Sequence, residues 1–386
     1  MSSSKLHEYR VSADHAGLHY VTDGVPGITR RRSGKGWSYY DAAGVRIDDP
    51  AVRARINALA IPPGWSDVWI CPDPDGHIQV TARDARGRKQ YRYHLSYRAT
   101  RDQSKFCRML EFSEILPVLR DRVERDLRAA ELTRRQILAT VVRLLDKTLM
   151  RVGNDEYARE NHSYGLTTLR RKHVQIKGAL LRFIFRGKSG VEHTVSLNDP
   201  RLARIVQRCQ DIPGQVIFQY LDAFGKRRPI TSDDVNDYLR EISGREITAK
   251  DFRTWGGTMV AAVVLRATGP ATSRREADRN IVRALDAVAE RLGNTRAVCR
   301  KYYVHPGLLE AYHLGLTAPI PSVEQPRGTR RNMSAAALRR DEVAVLQFLQ
   351  ESAGEAQTAG NDAEGDVVDQ TEDGPKPDDD ALVKNI

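Results

Sequence analysis

The spacing of apolar residues changes once along this chain of 386 residues, and the change predicts two kinds of folding unit. Up to about residue 98, short apolar stretches separated by turn-forming residues are typical of β-strands: GKGWSYY, SDVWI, HIQVTA and KQYRYH. From about residue 100 the spacing becomes helical. Thr133 and Gln136 have the spacing of a capping box, and Ile137, Val141 and Leu145 then recur on one helix face. The sequence therefore predicts an α+β protein, with a small N-terminal β-sheet domain and a mainly α-helical second domain.

One predicted β-hairpin interrupts the helical part. HVQIKGALLRFIF and VEHTVSL flank the turn residues 186–190, which places Lys188 at the tip of the hairpin. The helical spacing predicts four further helices: 233–242, 248–267 capped by Thr248, 274–291 and 334–350. The predicted domains are the β-rich 1–98, the helical 99–323, a helical extension at 324–350 and an acidic, disordered tail at 351–386.

Charge is distributed unevenly along the chain. The formal net charge is +11, but the last 36 residues hold 11 acidic and 2 basic side chains, so residues 1–350 carry a net charge of +20. A body this cationic predicts a polyanionic partner, and nucleic acid is the simplest one. The alternative is that abundant arginine only solvates the surface.

Several protein classes are excluded by what the sequence lacks. The longest apolar run, Met259 to Leu265, is far shorter than the roughly 20 residues that span a bilayer, and the first ten residues have no signal-peptide core. We therefore expect a soluble, cytoplasmic protein. The four cysteines form no CxxC pair, which argues against disulfides and a cysteine zinc site: Cys71, Cys107, Cys209 and Cys299.

A phosphate-binding P-loop and a metal site are also disfavoured. Gly187-Lys188-Ser189 resembles the end of a P-loop, but Arg182 stands where that motif requires its first glycine. No HExxH motif and no acidic pair at metal-ligand spacing on a helix occurs in the sequence. We expect no metal and no cofactor.

Phosphodiester cleavage without a metal needs a side-chain nucleophile, fixed cations around the phosphate and an acid for the leaving oxygen. A tyrosine can be that nucleophile, because its oxygen forms an ester with phosphate. The chain offers these groups in four separate segments: RVGNDEY with Arg151, FRGKSG with Lys188, KDFRTWGGT with Arg253, and LGNTRAVCRKYYVHP with Tyr303.

These segments, with GRKQYRYH in the sheet domain, resemble the type IB DNA topoisomerases, in particular the poxvirus and bacterial branch. The resemblance covers about residues 10–325, with the motifs in the family's order. It implies that Arg151 and Arg253 clamp the scissile phosphate, that Lys188 is the general acid, and that Tyr303 is the nucleophile. Tyr303 stands three residues before Pro306, as the family's tyrosine does, whereas Tyr302 is one residue out of register.

Each of these residues also has an ordinary structural interpretation. Arg151 would complement a helix dipole, Lys188 would be a solvated turn residue, Arg253 would pair with a carboxylate, and Tyr303 would be a packing ring. Their joint occurrence in the motifs favours the catalytic interpretation.

Asn294 departs from the commonest family pattern, in which a histidine stands nine residues before the nucleophile and donates to the phosphate. An asparagine amide can donate that hydrogen bond but carries no charge. The other interpretation is that Asn294 only caps the helix that follows it. The sequence leaves both open.

The strand GRKQYRYH is the predicted DNA contact of the sheet domain. The resemblance implies DNA contacts by Gln90, Tyr91 and Tyr93, with Arg88 beside them, and a weaker phosphate contact by Tyr157. On a flat strand, however, Gln90 faces away from the two tyrosines. The alternative is a strand with one core face and one solvated face.

The resemblance implies the fold shared by tyrosine recombinases and type IB topoisomerases, closed around duplex DNA as a two-lobed clamp. It implies a monomer, associated with the nucleoid, that relaxes supercoils through a 3′-phosphotyrosyl intermediate, without ATP or metal. A site-specific tyrosine recombinase is the nearest alternative, but its usual histidine three residues before the second arginine is Lys250 here. The second alternative is a DNA-binding chromatin protein without enzymatic activity.

Overall fold

The computed structural model describes residues 3–34, 36–320 and 340–351. The predicted disordered tail beyond residue 351, and residues 324–339 of the predicted extension, lie outside the described residues. The chain divides into two compact units, and the boundary between Glu111 and Phe112 lies inside a long helix.

The N-terminal unit contains a five-stranded antiparallel sheet with strand order β2-β1-β3-β4-β5. Its elements are α1 (Ser3–His15), β1 (Ile28–Ser33), β2 (Gly36–Tyr40), α2 (Pro50–Ala58), β3 (Ser66–Ile70), β4 (Ile78–Arg83) and β5 (Lys89–Tyr93). Ile56 of α2 packs with Ile28, Ile70 and Val80 of the sheet in one core. The predicted sheet domain is therefore present, and its four predicted strands correspond to β2 to β5.

The second unit is mainly helical. Its helices and strands are α3 (Leu95–Asp126, which begins in the first unit), α4 (Arg134–Thr148), α5 (Asp155–Asn161), β6 (Val174–Lys177), β7 (Leu180–Arg186), β8 (Glu192–Asn198), α6 (Pro200–Asp211), β9 (Gln219–Leu221), β10 (Arg227–Pro229), α7 (Ser232–Ser243), α8 (Ala249–Thr268), α9 (Arg274–Leu292), α10 (Arg296–Tyr302), α11 (Pro306–His313) and α12 (340–351). In the described part of the chain, no helix is both long and apolar enough to cross a membrane.

Helix α4 lies in the core of this unit. It begins where the Thr133 side chain accepts a hydrogen bond from the Gln136 main-chain N–H, at 3.1 Å, as the capping spacing predicts. Ile137, Val141 and Leu145 are fully buried. The helix ends at Leu149, whose positive φ of 58° turns the chain out of the helix.

Helix α12 is held to α3 and α4 by an ion-pair network. The Arg120 guanidinium bridges Asp146 of α4, at 2.7 Å, and Glu342 of α12, at 2.5 Å. Val345 and Leu349 of α12 are buried. The described residues of the predicted helix 334–350 are thus helical and packed against the body of the unit.

Strands β6, β7 and β8 form an antiparallel sheet in which β7 and β8 make the predicted hairpin. Phe185 is paired with His193, and Arg186 with Glu192, so that residues 187–191 form the turn. Along β8 the residues alternate between exposed and partly buried, and His193 is on the partly buried face.

Candidate active site

Arg151 is placed by the sharp exit from α4. Its carbonyl accepts a hydrogen bond from the Leu166 N–H at 2.9 Å. Gly153 and Gly165 approach each other there, since a Cβ on Gly165 would lie 2.6 Å from the Gly153 Cα. The Arg151 guanidinium then reaches the end of α9, where it donates to the Gly293 carbonyl at 3.1 Å and to Asn294 Oδ1 at 2.6 Å.

Arg253 lies one turn into α8 and is 4% exposed. Its guanidinium donates to two main-chain carbonyls, Leu149 at the end of α4 and Leu292 at the end of α9, the latter at 2.9 Å. Burial and, second, the nearby Arg151 charge lower the pKa of Arg253 to about 10. The group stays cationic at neutral pH, and an anion placed beside it would be strongly attracted.

Tyr303 lies beside these arginines at the end of α10. Its ring centre is 5.4 Å from the Arg253 Cζ. The Thr258 hydroxyl of α8 donates to the Tyr303 carbonyl at 3.4 Å and accepts from the His305 N–H at 3.0 Å. The preceding Tyr302 is 37% exposed and instead lies against Lys301, with 5.3 Å from Nζ to the ring centre.

Asn294 is not the cap of α10, because that position is Thr295, whose side chain accepts from the Val298 N–H. The Asn294 carboxamide instead accepts from Arg151 through Oδ1. Its Nδ2 is buried and finds no hydrogen-bond partner within the described residues, and the same holds for Nε of Arg253. Two buried donors of this cluster are therefore without an acceptor among the described residues.

His193 is a member of this cluster that sequence reasoning missed. Its ring stacks on Phe185 at 5.3 Å between centres and lies against Gly187 and Gly293. Burial, followed by the charges of Arg151 and Arg253, lowers its pKa, so the ring is neutral at neutral pH. The sequence signal that could have found it is the alternation in VEHTVSL, which puts His193 on the same strand face as Val195 and Leu197.

Lys188 lies in the exposed turn of the hairpin, five residues before His193. The structure thus brings four of the predicted catalytic residues into one cluster, Arg151, Arg253, Asn294 and Tyr303, and places the fifth on the hairpin whose base contacts that cluster.

The predicted DNA contacts of the N-terminal unit occupy two faces of β5. The rings of Tyr91 and Tyr93 stack with 6.0 Å between centres, and these residues are 41% and 38% exposed. Gln90 and Arg88 instead donate to the Asp84 carboxylate, at 3.0 and 2.8 Å, and Arg88 lowers the pKa of Asp84 to about 2. The structure therefore groups the tyrosines, and it does not bring Gln90 to their face.

Tyr157, the remaining predicted contact, lies in α5 of the second unit and is 42% exposed. Its main-chain N–H donates to the Asn154 side chain at 3.0 Å, which starts the helix.

Comparison with known proteins shows the family. Residues 94–317 match the family model described as the catalytic core of eukaryotic DNA topoisomerase I, and residues 36–84 match the N-terminal domain of bacterial DNA topoisomerase IB. DNA topoisomerase 1B of Acanthamoeba polyphaga mimivirus is 33% identical over 295 residues, which are 75% of this chain and 88% of the viral protein. The chain belongs to the type IB DNA topoisomerase family. It is therefore an enzyme of the isomerase class that acts on DNA.

More distant relatives match smaller parts of the enzyme. DNA topoisomerase 1 of Mycosarcoma maydis is 24% identical over 202 residues, 46% of this chain and 20% of the fungal protein. A crystal structure of the XerH site-specific recombinase bound to its difH substrate covers 51% of each chain with a TM-score of 0.32 and 15% identity. That likeness is too low to bear on the fold or the mechanism.

Proposed function

We propose that the enzyme relaxes supercoiled duplex DNA by cutting and resealing one strand through Tyr303. The phenolic oxygen attacks phosphorus, gives up its proton to water, and forms a 3′-phosphotyrosyl ester while the 5′ oxygen leaves with a proton from Lys188. The free end rotates, and the 5′ hydroxyl then attacks the ester to restore the original bond. Because the ester conserves the energy of the broken bond, the cycle uses no ATP. The observation that supports this is the convergence of two arginines on one tyrosine.

Each neighbouring residue has one role in this proposal. Arg151 and Arg253 neutralise the charge that develops on the non-bridging phosphoryl oxygens. Asn294 donates from Nδ2 to one of those oxygens, since its Oδ1 is already bonded to Arg151. Lys188 delivers the proton that the departing 5′ oxygen needs. No step in this scheme requires a metal.

We further propose that Tyr91 and Tyr93 contact DNA with Arg88 and Gln90, and that Tyr157 contacts a phosphate. For Arg88 and Gln90 this requires DNA phosphate to replace the Asp84 carboxylate as their partner. We expect the enzyme to act as a monomer, in the cytoplasm at the nucleoid.

Relaxation of a supercoiled plasmid tests the activity. In buffer with EDTA and without ATP, the enzyme should produce a ladder of relaxed topoisomers. Recombinant products would instead identify a recombinase, and unchanged plasmid would identify a DNA-binding protein without activity. Either result would overturn the proposal.

A matched pair of variants tests the nucleophile. Tyr303→Phe should abolish the covalent protein–DNA adduct trapped by detergent and leave DNA affinity nearly unchanged, because only one oxygen is lost. Tyr302→Phe should form the adduct at close to the normal rate, since the Tyr302 ring lies against Lys301 and the proposed nucleophile is retained. If Tyr302→Phe loses the adduct and Tyr303→Phe keeps it, the assignment of the nucleophile is wrong.

A further inference from the structure

The turn that carries Lys188, the proposed general acid, and the turn that carries Asn294 both contact the side chain of His193. The His193 ring lies between Gly187, which immediately precedes Lys188, and Gly293, which immediately precedes Asn294. Gly293 is also the residue whose carbonyl accepts from Arg151. The His193 ring thus separates the main chain next to Lys188 from the main chain next to Asn294.

The contacts on both sides of the ring are close. A Cβ on Gly187 would lie 2.5 Å from His193 Cδ2, and a Cβ on Gly293 would lie 2.1 Å from His193 Cε1. Real Cβ atoms do not approach other atoms this closely, so both positions require glycine while the ring is there. Stacking on Phe185 restricts any sideways movement of the ring. The width of the imidazole therefore sets how closely the hairpin approaches the turn.

We propose that His193 is a positioning residue whose ring acts as a spacer between the Lys188 turn and the turn that holds Asn294 and Arg151. This inference rests on the proposed role of Lys188 as the general acid. It assigns His193 no contact with DNA and no proton transfer of its own.

Such a spacer matters because proton transfer depends on distance. A general acid must come within about 2.6–3.2 Å of the atom it protonates, and a misplacement of about 1 Å can cost about 10²-fold in rate. Lys188 itself is exposed on a flexible side chain. The position of its main chain is therefore the part of the geometry that the fold can fix.

The ring acts here through its shape. Its Nε2 is buried and makes no hydrogen bond among the described residues. A neutral ring also adds no third positive charge beside Arg151 and Arg253. A phenyl ring of nearly the same width should therefore replace it, whereas a methyl group should not.

The first test measures single-turnover cleavage of two substrates, one with the ordinary 5′ oxygen and one with a 5′ sulfur, which leaves without an acid. His193→Ala should slow cleavage of the ordinary substrate by about 10²-fold and cleavage of the sulfur substrate much less. His193→Phe should stay near the normal rate on both. Equal slowing on the two substrates by His193→Ala, or loss in His193→Phe as large as in His193→Ala, would overturn the inference.

The second test enlarges the opposite side of the contact. Gly187 has a φ of −94°, so Gly187→Ala introduces no backbone strain and acts only by pressing its methyl group against the ring. This variant should slow the ordinary substrate selectively. Adding His193→Ala should recover part of the lost rate, because the removed ring makes room for the methyl group. Additive losses in the double variant would contradict a spacer.

Lys188→Ala separates the failure of this inference from the failure of the proposed function. If Lys188→Ala slows both substrates equally, Lys188 is not the acid and the proposed function fails at that step. If Lys188→Ala is selective for the ordinary substrate and His193→Ala is not, only the spacer is refuted. Thermal unfolding of each variant shows that it is folded, and Gly187→Ala keeps the test decisive if His193→Ala does not fold.

Discussion

At the residue scale, the candidate catalytic arginines differ from the structural arginine Arg120 in their partners. Arg120 is bonded to two carboxylates, and they raise its pKa. Arg151 and Arg253 are bonded to carbonyl and amide oxygens, and burial lowers the pKa of each. Carbonyl oxygens fix the orientation of a guanidinium group without neutralising it. The positive charge of both arginines therefore remains for a phosphate.

Asn294 gives the sharpest prediction at this scale. Asn294→Asp keeps an oxygen for Arg151 but removes the Nδ2 donor and adds a negative charge beside the phosphate. We expect single-turnover cleavage to fall by at least about 10²-fold, the usual cost of losing one such donor. Asn294→His supplies a ring N–H that can donate and should lose much less.

The control for this pair is DNA affinity, measured for both variants under conditions that prevent cleavage, so that a lower cleavage rate is not mistaken for weaker binding. If Asn294→Asp cleaves as fast as the unmodified enzyme, Asn294 does not donate to the phosphate.

At the element scale, α8 positions both Arg253 and Tyr303. It carries Arg253, and one turn later Gly257 and Thr258 support the chain at Tyr303. A Cβ on Gly257 would lie 2.5 Å from the Tyr303 carbonyl oxygen. The close approach of α8 to this segment therefore depends on the missing side chain.

Adjacent glycines of α8 provide a matched comparison. Gly257→Ala should lower the cleavage rate by about 10²-fold, because its methyl group must displace the main chain that carries Tyr303. The three atoms nearest to a Cβ on Gly256 all belong to the Leu149 side chain, with Cδ2 at 2.5 Å, and not to the main chain at Tyr303, so the loss in Gly256→Ala should be much smaller. Equal rates in the two variants would show that this contact does not position Tyr303; thermal unfolding checks that both are folded.

Much of this architecture could be predicted from periodicity, and the exceptions have physical reasons. Helices α7, α8 and α9 were predicted within a few residues because each begins at a capping residue and has apolar residues at helical spacing. For α4, the capping residue and the apolar spacing were predicted. Strand β1 was missed because five of its six residues are polar. It is held by Ile28 in the core and by Arg30, whose guanidinium lies 4.0 Å from the centre of the Trp37 ring.

The candidate site was predictable only where its residues stand in motifs. Arg151, Lys188, Arg253, Asn294 and Tyr303 were found in this way, and their catalytic roles remain proposals. His193 was not, because its significance depends on two glycines that are 106 residues apart in the sequence and become neighbours only in the fold. The hydrogen bond from Arg151 to Asn294 Oδ1 could not be predicted either, because it joins residues 143 positions apart.

At the scale of the whole molecule, the charge of +20 on residues 1–350 should govern the strength of binding to DNA. Each DNA phosphate that the protein neutralises should contribute about 0.9 to the slope of log affinity against log salt concentration. We therefore expect the affinity of Tyr303→Phe, which should bind DNA without cutting it, to fall steeply between low and physiological salt. A flat salt dependence would contradict the electrostatic argument.

Two single variants locate the charges responsible. Arg88→Gln should reduce that slope by up to about 0.9, because it removes one proposed phosphate contact. Arg135→Gln should leave the slope unchanged, since no DNA contact is proposed for Arg135, which is held by two carboxylates, Asp126 at 2.9 Å and Glu241 at 2.6 Å. An equal reduction in both variants would mean that Arg88 contributes only its charge at a distance.

The carbonyl partners of Arg253 also decide how an inactive form of this enzyme should be made. That guanidinium joins the last turns of α4 and α9, which are 143 residues apart. Arg253→Ala would leave the carbonyl oxygens of Leu149 and Leu292 without this donor. It would therefore destabilise the fold as well as remove the proposed phosphate contact. For structural or binding work, an inactive protein is therefore better made with Tyr303→Phe. This variant removes the proposed reactive hydroxyl and keeps the hydrogen bonds of Arg253 to the main chain.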